Sequence, residues 1–245
     1  MHASRTIEAD KIASLAESLN LGRELRLSDG ALGHRKALFG YSGSLPSELK
    51  RGDIIQLLNI GGVMGHCDSA NPELGVPFDC EVLGMVLDFP YLGERIGVAA
   101  RAGETELPDA PALDVKDTPV VALAGTCMDS GKTAAACAIV SRLRARGLTV
   151  AACKATGVAL RRDILAMEDA GATESMLFSD FGVMTTTREN GPALTRSLLT
   201  QLSNEKPDVI VMELGDGLLG TYGVDAILAD TAVRDARTAV VLCAN

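Results

Sequence analysis

Between positions 125 and 134 the chain reads GTCMDSGKTA, a set of residue types suited to holding a polyphosphate. A polyphosphate carries several negative charges that must be matched away from water. Backbone N–H groups of a tight loop, the positive end of a helix, a lysine ammonium and a hydroxyl on Mg2+ match them together. In that scheme Gly125, Thr126, Asp129, Ser130, Gly131, Lys132, Thr133 and Ala134 form the cradle. Lys132 reaches the β- and γ-phosphates, and Thr133 ligates the metal. The usual spacing, G-x-x-x-x-G-K-[ST], would put its first glycine at 126, where Thr126 stands; the glycine here is one residue earlier, at Gly125. A bare Gly-Lys-Thr also occurs in ordinary glycine turns, so the assignment rests on the elements around it.

Those elements read as strand, loop and helix. Residues 120–124 are an apolar run of strand length, Gly125 breaks it, and an Ala-rich helix is expected over 132–146, ending at Gly147. A second strand over 148–153 completes a βαβ unit, which implies a parallel sheet with a right-handed crossover. Lys154 then leaves the carboxyl end of that strand, the edge where parallel α/β sheets bind ligands. A helix over 161–172 carries Ile164, Leu165 and Met167 toward its apolar side, with Asp163 in its first turn, where a carboxylate complements the dipole. Residues 181–189 read as a loop. Pro192 opens a helix with Leu194, Leu198, Leu199 and Leu202 on one face. Residues 209–212 form a continuous apolar strand ending in Glu213 and Leu214-Gly215-Asp216-Gly217. A carboxylate at the tip of a buried strand beside a phosphate loop is expected to serve Mg2+. The last apolar run, 239–243, reads as another buried strand, and with no helix after it the domain is expected to continue beyond Asn245.

The first part of the chain has a different texture. A helix is expected over 6–21, from Ile12, Leu15, Ala16 and Leu19, with Gly22 as its cap. Residues 25–100 alternate short apolar runs with Gly, Pro, Asn and Asp, the pattern of a small, mostly β domain with strands at 54–60, 81–87 and 95–100. The glycine-rich 61–66 and the loop 68–78 would line a substrate cleft or serve as plain connections; His34 has the same standing. Residues 106–118, with Pro108 and Pro111, read as a linker between an N-terminal region (1–105) and a nucleotide domain (119–245).

Composition narrows the functional classes. A net charge of −9, with no basic stripe, speaks against a nucleic-acid surface. No basic-then-apolar leader and no run of about 20 apolar residues occurs, so no membrane association and a cytoplasmic location are expected. The six cysteines have no C-x-x-C spacing and read as reduced thiols; His66-Cys67 with Cys80 lacks a complete metal-ligand set.

Gly125 through Thr133 resembles the loop of dethiobiotin synthetase and its relatives among the P-loop NTPases, with the same Gly-Thr start and long spacing to Gly-Lys-Thr. Lys154-Ala155-Thr156-Gly157 lies where that family has Lys-Pro-x-x-Thr/Ser-Gly, and Glu213-Leu214-Gly215-Asp216-Gly217 resembles its Glu-Gly-Ala-Gly-Gly. Residues 163–172, DILAMEDAGA, are similar to the Asp-containing helix of the molybdopterin-guanine dinucleotide biosynthesis adaptor. The resemblance covers the C-terminal half and implies an α/β, parallel-sheet P-loop NTPase domain behind the small β domain. It also implies that Thr133, Asp163 and Glu213 surround Mg2+. The departures are Cys127 in place of Asp, no Pro after Lys154, and no substrate-binding sequence around Arg161 and Arg162.

Two functions of different class follow. The first is an enzyme using ATP or GTP with Mg2+, in which Lys132 and Lys154 act on a γ-phosphoryl passing to a small anionic substrate, by phosphoryl transfer or ligation. The second is a nucleotide-driven GTPase or ATPase switch or adaptor whose β domain engages a partner. An acyltransferase that keeps the scaffold to hold coenzyme A phosphates is a weaker third, and a homodimer is among the expected partners.

Overall fold

The computed structural model describes residues 41–44, 46–59, 62–70, 72, 75–84, 86–91, 93, 96–100, 103, 107–108 and 111–245. The helix expected over 6–21 and His34 lie outside them.

Four short strands, β1 (Ser42–Ser44), β2 (Ile54–Leu57), β3 (Met64–Ser69) and β4 (Asp79–Glu81), form an antiparallel sheet in the order β1-β3-β2-β4. A hairpin pairs β5 (Leu87–Asp88) with β6 (Val98–Ala99). The boundaries differ from the sequence expectation. The strand expected over 54–60 stops at Leu57, and the one expected over 81–87 is divided between the end of β4 and the start of β5. Met64–Ser69, taken for connection because of its Gly, His and Asp, is a strand because it is paired on both sides, and pairing outweighs weak strand propensity. Cys67 N donates to Gln56 Oε1 at 3.0 Å, reinforcing that pairing. Ile55, Met64 and Cys80 make a small core here, whereas Leu58 and Val63 enter the main core of the chain.

That main core surrounds a five-stranded sheet of β7 (Val120–Gly125), β8 (Val150–Thr156), β9 (Glu174–Leu177), β10 (Val209–Leu214) and β11 (Arg237–Cys243). All neighbours are parallel, in the order β11-β7-β10-β8-β9. Every residue of β8 and of β10 is buried, so both faces of the sheet are covered, which is why these strands are continuous apolar runs rather than alternating ones. The helices are α1 (Lys132–Arg144), α2 (Arg162–Asp169), α3 (Gly191–Asn204), α4 (Val224–Ala229) and α5 (Thr231–Ala236). α1 and α2 pack on each other and on the sheet; α3 packs on it with α4 and α5. Leu194, Leu198, Leu199 and Leu202 of α3 are buried, as their spacing requires, and Thr195 and Ser203 return their hydroxyls to carbonyls four residues back. The architecture is the expected one: a parallel α/β sheet preceded by a small antiparallel β unit.

Three departures come from tertiary pairing. β8 runs to Thr156 instead of stopping at 153, because its ladder with β10 continues through Glu213↔Lys154 and Leu214↔Thr156. β9, α4 and α5 were not anticipated. β11, expected to be buried, is an edge strand, and Val240 and Leu242 are 52% and 58% exposed. The 111–118 stretch is tied to α3: Asp114 N donates to Thr200 Oγ1 at 3.1 Å, and Leu113 and Val115 pack against the core.

From β7 the chain passes through α1 to β8, beyond β10; from β10 it passes through α4 and α5 to β11, beyond β7. The connections leave the carboxyl ends of β7 and β10 in opposite directions, which opens a crevice between them.

Candidate functional site

The loop after β7 closes on the start of α1 through left-handed backbone at Asp129 (φ 55°) and Gly131 (φ 86°). No atom lies within 4 Å of where a Gly131 Cβ would be, so glycine is needed there for its conformation and not for space. Gly125 is the reverse case: a Cβ would fall 2.9 Å from Lys132 Nζ and closer still to Ser130 Oγ. The Lys132 side chain is folded over Gly125, 5% exposed, and its ammonium donates to Cys127 O at 2.8 Å and Ser130 Oγ at 3.4 Å. Thr126 N donates to Cys243 O at 3.0 Å, joining the loop to β11.

Across the crevice, Thr133 Oγ1 donates to Glu213 Oε1 at 3.0 Å. The other carboxylate oxygen, Glu213 Oε2, is buried without a hydrogen-bond partner. Burial pushes the Glu213 carboxyl above its usual value and Asp163 adds to this, against the opposing pull of Lys154, the Thr133 hydroxyl and Lys132. In the β8–β10 register Lys154 stands beside Glu213, and its ammonium forms an ion pair with Asp163 of α2. Lys154 is thus a buried strand residue already matched by a carboxylate, rather than a free cation at a strand end. The oxygen set fits Mg2+: an orphaned buried carboxylate oxygen, a hydroxyl beside it and a second carboxylate are hard donors.

An acid whose carboxyl is raised by folding binds its proton more tightly folded than unfolded. Its contribution to stability is fully present below the unfolded value and declines as pH rises through the raised one. Glu213→Gln removes a buried carboxyl whose ionisation the fold opposes. The ligand-free variant is expected to melt higher relative to the wild type at about pH 7.5 than at about pH 4.5. Melting curves at both pH values check this; a gain independent of pH would mean that Glu213 carries no such penalty.

The crevice encloses about 490 Å3. Of the residues expected from the sequence, Asp129, Gly131, Lys132, Thr133, Ala134, Lys154, Asp163 and Glu213 line it. Gly125 and Ser130 support Lys132 from beneath, and Thr126 faces β11; none of the three is part of the lining. Sequence reasoning missed Asn59, Asp216 and Tyr222, which also line it. Asp216 had a signal, lying three residues past Glu213 in a glycine-bounded segment. Asn59 and Tyr222 had none, since both arrive by tertiary contact. Two threonines hold the walls: Thr156 Oγ1 donates to Gly215 O at 3.0 Å, and Thr186 Oγ1 donates to Tyr222 O at 2.9 Å while accepting from Gly157 N at 2.9 Å. Arg162 lines the crevice, whereas Arg161 pairs with Asp180 at 3.5 Å. Among the described residues no three His, Cys, Asp or Glu side chains cluster, and no helix is long and apolar enough to cross a membrane.

No family model and no curated protein matches the chain. Similar solved structures include the signal recognition particle receptor FtsY from Elizabethkingia anophelis, at 17% identity and a TM-score of 0.41, covering 56% of this chain and 44% of that one. The same receptor in complex with GDP is similar at 16% identity and a TM-score of 0.40, with the same coverage. Chloroplast FtsY from Physcomitrella patens is similar at 18% identity and a TM-score of 0.38, covering 58% of this chain and 44% of that one. The chain therefore spans less than half the length of each of these proteins.

Proposed function

We propose that the chain binds a nucleoside triphosphate with Mg2+ in the crevice between β7 and β10 and passes its γ-phosphoryl group to a small anionic acceptor. The observation that carries this reading is the Thr133–Glu213 contact at the head of the phosphate loop, with a buried Glu213 oxygen left unpartnered. A polyphosphate would draw the Lys132 ammonium from Cys127 O and Ser130 Oγ, exchanging neutral acceptors for charged ones. Thr133, Glu213 and Asp163 would hold Mg2+, which neutralises charge on the phosphate oxygens when bound. Lys154, at the same wall, would face charge developing on the transferring oxygens, and Arg162 would meet the acceptor's own charge. Little covalent chemistry is asked of the protein, because positioning and charge neutralisation account for most of such a transfer.

Titration calorimetry with ATP and GTP, with and without Mg2+, followed by product analysis over small carboxylic and hydroxy acids, tests the reading. Micromolar, Mg2+-dependent binding and acceptor-dependent turnover are expected. Absence of binding to either nucleotide rejects it.

A second reading, a nucleotide-driven switch, is favoured by one observation. Asn59 of the β unit lines the crevice and its neighbour Leu58 enters the main core, so the β unit is in touch with the nucleotide site. A switch would hydrolyse slowly without acceptor and be accelerated only by a partner protein.

A further inference from the structure

Asp216 is a half-buried carboxylate at the crevice that the roles assigned so far leave unused. It lies beyond the end of β10, past Gly215, with a left-handed backbone (φ 66°). Asp tolerates that conformation better than most residues, and an ordinary turn would explain it. Glycine would serve such a turn at least as well. The backbone therefore does not account for the carboxylate. The surrounding chain is instead shaped to accommodate it: a Cβ on Gly220 would fall 2.9 Å from Asp216 Cγ and closer still to its Oδ2, so the segment closes over the carboxylate only because residue 220 is glycine. Gly217 has the same character toward the phosphate loop, where a Cβ would meet Thr126 O at 2.7 Å.

The groups around Asp216 come from each element that meets it. Burial raises the Asp216 carboxyl, while the Gly217 N–H that bonds it and the charge of Lys132 pull it back. Tyr222 flanks it, its phenol pushed up to about 12 by burial and then by Asp216. Lys154, Asp163 and Glu213 stand on the same crevice wall, the first two paired with each other and Glu213 bonded to Thr133. Asp216 and Asp129 are the crevice carboxylates outside the proposed Mg2+ set, and Asp216 is the one carried beyond the end of β10 beside Tyr222. Burial raises its carboxyl above the usual value, the direction that makes a carboxylate a better proton acceptor near neutral pH.

We propose that Asp216 accepts the proton of an O–H nucleophile as that oxygen attacks the γ-phosphorus, so that the acceptor reacts through a hydroxyl or is water, and not through a carboxylate. This rests on the nucleotide reading given above. In the step an O–P bond forms while the bond from the γ-phosphorus to the bridging oxygen breaks, and its electron pair leaves on the nucleoside diphosphate. The hydroxyl proton passes to an Asp216 oxygen and is returned to product phosphate or solvent. A carboxylate acceptor has no proton to lose and would gain nothing from Asp216.

Asp216→Asn and Asp216→Gly both suit a left-handed backbone, so neither variant is expected to disturb the fold, and melting curves check that. Mg2+-dependent binding of a non-hydrolysable ATP or GTP analogue should stay within about threefold of wild type, or tighten as a negative charge is removed. Turnover should fall by about 100-fold or more in both variants, and the acid limb of the wild-type pH–rate profile should disappear. Separate assays of water and hydroxy-acid acceptors identify which O–H group is used. Wild-type turnover in the variants, a fall in turnover matched by the same fall in analogue affinity, or transfer to simple carboxylic acids that Asp216→Asn leaves unchanged would each overturn the inference while the nucleotide reading stands. Failure of the wild type to bind either analogue would overturn both.

Discussion

Lys132→Ala is expected to weaken nucleoside triphosphate binding by about 100-fold while leaving the nucleoside almost unaffected. Hydrogen bonds to charged groups contribute about 1.5–3 kcal/mol each, and an ammonium buried against a polyphosphate would make more than one. The loop itself should survive the change, because Lys132 is held by only two loop oxygens, Cys127 O and Ser130 Oγ, and hydroxyl and carbonyl can turn to water when it is removed. Gly125→Ala should imitate the loss by another route, since the added Cβ would occupy the space of the Lys132 Cδ and Nζ, each 2.9 Å away. Titration calorimetry with triphosphate, diphosphate and nucleoside separates the terms. Equal triphosphate affinity in wild type and Lys132→Ala would mean that the loop holds no phosphate.

Lys154→Met should have two effects of different origin. The Lys154 and Asp163 side chains are only 11% and 13% exposed, so removing the ammonium leaves a nearly buried carboxylate with only the longer contact to Arg162 Nε, 3.7 Å from its Oδ1, as a cation. Breaking such a pair costs about 3–5 kcal/mol. For a protein of this size that is a fall in melting temperature of roughly 6–20 °C. Glu213 would also lose the larger of the two cationic pulls that oppose the effect of burial, leaving that of Lys132 and making its ionised form less favourable. Turnover should fall by about 100-fold, the usual consequence of losing one preorganised donor to a transition state. A second substitution isolates the stability effect: Lys154→Met with Asp163→Leu replaces the pair by apolar groups and should recover most of the stability, while turnover, which Asp163→Leu alone should also lower, is compared with that single variant. Recovery of stability and turnover together would remove both Lys154 and Asp163 from the proposed machinery, and a stable, fully active Lys154→Met would remove Lys154 alone.

Much of the loop between β7 and α1 is a local property, and local properties are legible in a sequence. An apolar run, a glycine at Gly125, a left-handed glycine at Gly131 and a helix opening on Lys132-Thr133 follow from neighbours along the chain. The leucine face of α3 and the continuous burial of β10 follow from periodicity in the same way. Strand order does not. β10 enters between β7 and β8, and that insertion brings Thr133 and Glu213, 80 residues apart in sequence, to 3.0 Å. The same adjacency sets Lys154 beside Glu213, and α2, returning after β8, gives it Asp163 as a partner, where position along the chain had placed it only at the ligand-binding edge of the sheet. Periodicity reports whether a residue prefers to be buried; which residues meet is decided by how the sheet is ordered, because side chains at the carboxyl ends of adjacent strands converge whatever their separation in sequence.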